Sequence, residues 1–325
     1  MDEILRIEDL YVNFYTYAGV VKAIDGVNLS VMRGETFGLV GETGCGKSVT
    51  MKAVLRLIPP PGKIVKGRIL FNGIDLLKLP EEEMRKIRGA KIAYIVQDPT
   101  AALDPLFTNG FQVAETIMAH EEGASEKSIW DRVISLFRSV LIPDPESRAK
   151  QYPHELSGGM RQRVVIACSI SEEPELLIAD EPTTSVDVTV QAQILEVLQR
   201  MKEEKGMTMI LVTHNLGLVA QVCDRVGVMY AGYIVEVGDI FRIFEEPLHP
   251  YTRGLLNAVP HITKTQVKLE PIPGTIPNLI NPPSGCRFHP RCPYAMEICK
   301  EVKPKPVEVE PGRQVACHLF SDGGG

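Results

Sequence analysis

Residues 41–48 read Gly-Glu-Thr-Gly-Cys-Gly-Lys-Ser, which fits the spacing G-x-x-x-x-G-K-[ST]. Three glycines at these positions let successive backbone N–H groups turn inward around phosphate oxygens. A helix starting there adds partial positive charge at the same point. Lys47 is then placed to reach the outer phosphates, and Ser48 offers a hydroxyl to Mg²⁺. The loop needs a strand before it and a helix after it. The apolar run Phe37-Gly38-Leu39-Val40 supplies the strand, and a helical pattern runs from Ser48 through Met51, Val54, Leu55 and Ile58 to the Pro59-Pro60-Pro61 stop.

Further chemistry follows along the chain. Leu156-Ser157-Gly158-Gly159-Met160 opens a second glycine-lined helix, with Ser157 as its N-cap. Leu176–Asp180 (LLIAD) is a buried strand ending in a carboxylate suited to water-mediated Mg²⁺ contact. Glu181 follows and is placed to deprotonate or orient an attacking water. Gln97 ends the apolar run 91–96, and His214 ends the run 207–212. Both sit at carboxyl ends of strands, where open α/β sheets bind ligands. Tyr11, Phe14, Tyr15 and Tyr17 cluster at a turn; one of them can stack on an adenine ring. Cys286, Cys292, Cys299 and Cys317 lie in a Pro-rich segment with little apolar periodicity, where a metal staple is physically attractive. Four thiolates fit either zinc or an iron–sulfur cluster, and their spacing lacks the C-x₂-C knuckle of structural zinc.

The elements that position these groups alternate between strand and helix. Residues 4–14 and 20–31 carry period-two alternation and read as antiparallel strands around a turn at 15–19. A strand at 67–71, an Asn72-Gly73 turn and a helix over 80–88 follow. Strand signals fade from Pro99 to about Ser171, where helical periods appear near 110–121 and 125–141, with Trp130 as a core anchor. A helix over 188–204 and strands at 225–230 and 233–237 close the fold. The chain of 325 residues is 44% hydrophobic and 23% charged, enough for one large domain plus an appendage. A net charge of −6 gives no basic face for nucleic acid. No apolar run reaches the ~18–20 residues that span a bilayer, and no charged-then-apolar leader opens the chain. The expectation is a soluble intracellular protein whose seven cysteines form no disulfide framework.

In this order, the motifs resemble the ATP-binding subunits of ABC transporters over roughly residues 4–255. The tail 247–299, with QYPHELSGGMRQRV and ADEPTTSVDVTVQAQIL, is similar to the D-type ATPases of dipeptide/oligopeptide importers. The resemblance implies an α/β P-loop NTPase: a RecA-like core with an antiparallel β subdomain and a helical insertion, plus a small Cys-rich C-terminal extension. It divides the chain into a core at 1–97 and 172–258, a helical signature subdomain at 98–171, and an extension at 259–325. It implies ATP contacts from Gly41, Gly44, Cys45, Gly46, Lys47, Ser48 and Val49, with Phe14 on the adenine and Tyr15 as the alternative. Mg²⁺ falls to Ser48, Gln97 and Asp180. Catalysis falls to Glu181, His214, Gln97 and Lys47. Ser157, Gly158, Gly159 and Asp187 (in Ser185-Val186-Asp187) serve a nucleotide bound by a partner subunit.

The same resemblance implies a 4Fe–4S cluster on Cys286, Cys292, Cys299 and Cys317, with Zn²⁺ as the alternative. The implied partners are an F-type second ATPase subunit, two membrane permeases and an extracytoplasmic solute-binding protein, with the chain at the cytoplasmic face of the membrane and no nucleic acid. The implied activity is ATP hydrolysis driving dipeptide/oligopeptide uptake. The alternatives are oligosaccharide or nickel import by the same machinery, or a soluble ABC ATPase acting on DNA or the ribosome. Three positions depart from the family pattern: Cys45 for Ser, Ser185-Val186 for Ala-Leu, and Asn215 for Asp. Between a helix dipole and Lys47, the Cys45 thiol is expected to be unusually reactive.

Overall fold

The computed structural model describes residues 2–121, 123–184, 187–258 and 272–321. Ser185, Val186 and the glycine tail, to which no function is assigned, lie outside them. The chain divides into two compact units, residues 1–78 with 211–325, and residues 79–210.

In the first unit, strands Glu3–Thr16 and Gly19–Met32 pair antiparallel, with Phe14 opposite Val21 and Thr16 opposite Gly19. Alternation buries Leu5, Ile7, Leu10 and Val12 on one side of the pair. Strand Gly62–Phe71, longer than the sequence suggests, joins on the other edge with Phe14 opposite Gly62. A second sheet carries the phosphate loop. Its strand Thr36–Val40 is buried at every position and runs parallel to Arg225–Tyr230. That strand pairs antiparallel with Tyr233–Asp239.

The sheet does not stop there. The C-terminal extension adds a hairpin, Val307–Glu310 and Arg313–Val315, whose second strand pairs with Tyr233–Asp239. The hairpin is too short and too charged to register as a core strand. Its Arg313 is nonetheless buried, with its guanidinium 3.4 Å from the buried Glu236 carboxylate.

The helix after the phosphate loop spans only Lys47–Val54, short of the proline stop. Arg56 takes φ 55°, the amide of Leu57 bonds back to the Lys52 carbonyl at 2.8 Å, and that of Arg56 to Ala53 at 3.0 Å. This is a Schellman ending with Arg where glycine is usual.

In the second unit, Ile92–Ile95 lies parallel to Leu176–Asp180. Helices Asn109–Met118, Glu126–Ser139 and Gly158–Ile170 form the helical part. Val113, Ile117, Val133 and Phe137 are among its fully buried residues. Trp130 is half-buried and reaches over Gly110, where an added Cβ would stand 2.9 Å from its ring. The helix Val188–Lys205 ends on Gly206 at φ 65°. Among the described residues no helix is long and apolar enough to cross a membrane.

Candidate functional site

The phosphate loop is forced into shape by its glycines. Gly41 has φ 150° and its missing Cβ would sit 2.1 Å from the Met229 carbonyl oxygen, so no side chain fits. Gly46, the N-cap of helix Lys47–Val54, takes φ 111° between Ile24, Met229 and the Ala23 carbonyl. Gly44 faces open space, and its φ of 83° alone selects glycine. Lys47 is 5% exposed; its ammonium donates to the carbonyls of Gly41 at 2.7 Å and Glu42 at 3.1 Å. These bonds lay the lysine back across the loop. Ser48 and Val49 follow in the first helical turn, both half-buried.

Cys45 corrects the expectation of a reactive thiol. Its side chain is fully buried, and burial pushes the thiol's pKa up more than nearby Lys47 lowers it. The neutral thiol is favoured, and the thiolate is the nucleophile.

In the second unit, the end of strand Leu176–Asp180 brings two carboxylates and their partners together. Asp180 is 2% exposed and accepts from the Tyr94 hydroxyl at 2.5 Å. Burial and the Asp180 charge push the Tyr94 phenol up, so it remains a donor. Glu181 adopts φ 48°, a left-handed turn just past the strand end. That carboxylate accepts from Gln97 Nε2 and from the Thr184 hydroxyl, each at 2.9 Å. The structure thus joins Gln97 to Glu181, and adds Tyr94 and Thr184, which sequence reasoning missed. Tyr94 alternates with Ala93 and Ile95 on its strand, so its hydroxyl was placed by strand period but its partner was not readable.

The second glycine-lined helix start also lies in this unit. Ser157 is exposed, and its hydroxyl accepts from the Met160 amide at 3.3 Å as the N-cap of helix Gly158–Ile170. Asp187 caps helix Val188–Lys205 in the same way, accepting from the Val190 amide at 3.0 Å. Ser157, Gly158, Gly159 and Asp187 line one open cavity of about 540 Å³ with Arg163 and Gln193. Asp187 therefore faces the same space as the Gly158–Gly159 amides.

Other residues fall as follows. Phe14 is half-buried, packed on Gly62 so closely that a Cβ there would meet its ring at 2.7 Å. Tyr15 is exposed, with the Lys63 ammonium 5.9 Å from its ring centre. His214 is exposed just beyond strand Thr208–Thr213, and Asn215 caps the next helix through the amides of Gly217 and Leu218.

The four tail thiols lie among the described residues. Among the described residues no group of three or more His, Cys, Asp or Glu side chains is placed to hold a metal ion. All four cysteines are free thiols. Burial pushes Cys286 and Cys292 up and Cys317 to about 11, and neighbouring tail thiols add to each shift. They therefore share one electrostatic neighbourhood. His289 and His318 lie 2.9 Å and 2.8 Å from the carbonyls of Cys286 and Val302, engaged with main chain. Mg²⁺ asks less of the protein, one or two oxygens beside substrate phosphates and water. Ser48 in one unit, and Asp180 and Gln97 in the other, each carry an oxygen of that kind.

Comparison with known proteins adds the following. Residues 24–184 match the family profile described as ABC transporter, and residues 235–299 match the oligopeptide/dipeptide transporter C-terminal region. The dipeptide transport ATP-binding protein DppD of Bacillus subtilis is 49% identical over 98% of this chain and 95% of its own. DppD of Escherichia coli is 44% identical over 99% and 98%. The oligopeptide transport ATP-binding protein OppD of B. subtilis is 49% identical over 98% and 89%. Among solved structures, a dimeric ATP-binding cassette in a post-hydrolysis state with ADP and Pi superposes with a TM-score of 0.66 at 25% identity, covering 73% of this chain and 98% of that one. A cassette from Clostridium perfringens, part of an ABC transporter complex, gives 0.63 at 30% identity over 76% and 92%.

Proposed function

The chain belongs to the ATP-binding subunits of ABC transporters, in the group that drives dipeptide and oligopeptide import, and from that premise we propose how its residues divide the work. It hydrolyses ATP to energise uptake, acting with membrane permeases and a substrate-binding partner. The inward amides of Gly44 to Val49 and the Lys47 ammonium hold the phosphates. Ser48, Asp180 and Gln97 would hold Mg²⁺, which would offset charge on the transferred phosphate. Glu181 takes the proton of the attacking water as the water oxygen bonds to the γ-phosphorus. The bond to the ADP oxygen breaks, releasing ADP and Pi. His214 holds the γ-phosphate. Tyr15, the exposed one of the two aromatics, is as suited to the adenine as Phe14, which packs on its own sheet.

We further propose that Ser157, Gly158, Gly159 and Asp187 serve ATP bound on a sister cassette, an F-type subunit, with this chain peripheral at the cytoplasmic face and free of nucleic acid. Their support is an exposed helix start opening on a cavity of its own. A 4Fe–4S cluster, with zinc as the alternative, stays a proposal for the four thiols, supported by their shared neighbourhood alone; no step of turnover runs through it.

The observation that carries the reading is the Glu181 carboxylate, held by Gln97 and Thr184 one residue beyond the buried Asp180. The test is uptake of a labelled dipeptide into vesicles holding the assembled transporter. ATP-dependent uptake is expected, falling about 10²-fold or more with Lys47→Ala, the scale for losing a donor to transferring charge. Uptake indifferent to Lys47→Ala contradicts the reading, and ATP-driven uptake of an oligosaccharide or nickel in place of peptide favours that alternative.

A further inference from the structure

The phosphate loop contains an acidic residue, Glu42, one position after its first glycine. A carboxylate there repels the polyphosphate the loop exists to bind, unless something neutralises it. Arg291, from the Cys-rich extension, does so. Its guanidinium grips Glu42 with two bonds, Nη1 to Oε2 at 2.8 Å and Nη2 to Oε1 at 3.0 Å. This is the planar fork geometry that lysine cannot reproduce.

Arg291 is itself locked in place. It is 8% exposed; Nε donates to the Pro273 carbonyl at 2.7 Å, and the guanidinium lies 5.7 Å from the Tyr230 ring centre. The Glu42 main chain is held from the same side, its amide donating to the Tyr251 hydroxyl at 2.9 Å. Tyr251, Tyr230 and Phe288 form one buried aromatic cluster with ring centres 4.6–5.4 Å apart. Lys47 donates to the Glu42 carbonyl at 3.1 Å, so the residue that Arg291 grips also touches the phosphate lysine.

We infer that Arg291 is a positioning residue for ATP binding: the C-terminal extension neutralises Glu42 and holds the phosphate loop in its anion-accepting state. This gives the extension a role in the nucleotide site that needs no metal. It rests on ATP binding at Gly41–Ser48.

The test measures affinity of the purified full chain for a fluorescent ATP analogue with Mg²⁺, and KM and kcat of the assembled transporter. Arg291→Met should weaken binding about tenfold, or ~1.4 kcal/mol, and raise KM to match with kcat within about twofold. Arg291→Lys, which keeps the charge and loses the fork, should fall between. Adding Glu42→Gln to Arg291→Met removes the bare carboxylate and should restore affinity to within about threefold of the original. A purely structural arginine predicts no such rescue. Failure of the double variant to recover, or unchanged affinity in Arg291→Met and Arg291→Lys while the original chain binds, overturns the inference alone. No binding by the original chain overturns the nucleotide reading with it.

Discussion

His249 shows how one side chain ties the site to acidity. It is 1% exposed, its Nδ1 accepts from the Tyr251 amide at 3.0 Å, and burial drives its pKa down to about 3. The folded protein therefore keeps it neutral where the unfolded chain, near 6.5, takes a proton. The unfolded state binds more protons below that value, so stability falls as pH drops from 6.5 toward 3. Between pH 6.5 and 5 this one residue should cost roughly 2 kcal/mol, at ~1.4 kcal/mol per unit. Urea midpoints at the two pH values measure it: His249→Asn, which keeps an acceptor but does not titrate, should show a smaller drop. Equal drops contradict the assignment. Nothing in the sequence singles out His249, because its burial depends on packing against Phe288 from distant chain. The placement of Gly41, Lys47 and Glu181 was legible because it follows from local spacing. Arg291 was not, because its partner lies 249 positions away.

Elements read well where period and cap agree. Helices Gly158–Ile170 and Val188–Lys205 start at the Ser157 and Asp187 that a cap rule selects. The helix Lys47–Val54 did not, because Arg56 ends it with a left-handed turn that no glycine announces. The hairpin at 307–315 was missed because Val-Glu-Val-Glu alternates on too few residues to signal a core strand. Gly159 joins both helix starts: a Cβ there would stand 2.7 Å from Val190 Cγ1 in the first turn of the second helix. Valine is stiff at χ1 and cannot swing clear. Gly159→Val should therefore destabilise the chain by about 1–3 kcal/mol through overpacking, read as a lower denaturant midpoint, and slow turnover of the assembled transporter. An unchanged midpoint contradicts this packing.

At the scale of the molecule, two glycine-lined helix starts belong to two different compact units, Lys47–Val54 to one and Gly158–Ile170 to the other. Six motifs in one order made the fold class legible from sequence, and the matched families agree with it. The course of the extension, which ends as a strand on the central sheet and a guanidinium on the phosphate loop, was not legible: both are long-range pairings that composition does not encode. The proposed mechanism stands or falls with Glu181 as the base that takes the proton from water. ATP turnover by the assembled transporter carrying Glu181→Gln, at saturating ATP, tests it most directly. Turnover should fall by roughly 10²–10⁴-fold, the usual worth of a positioned base, with ATP still bound; turnover near that of the unaltered protein would rule Glu181 out as the base.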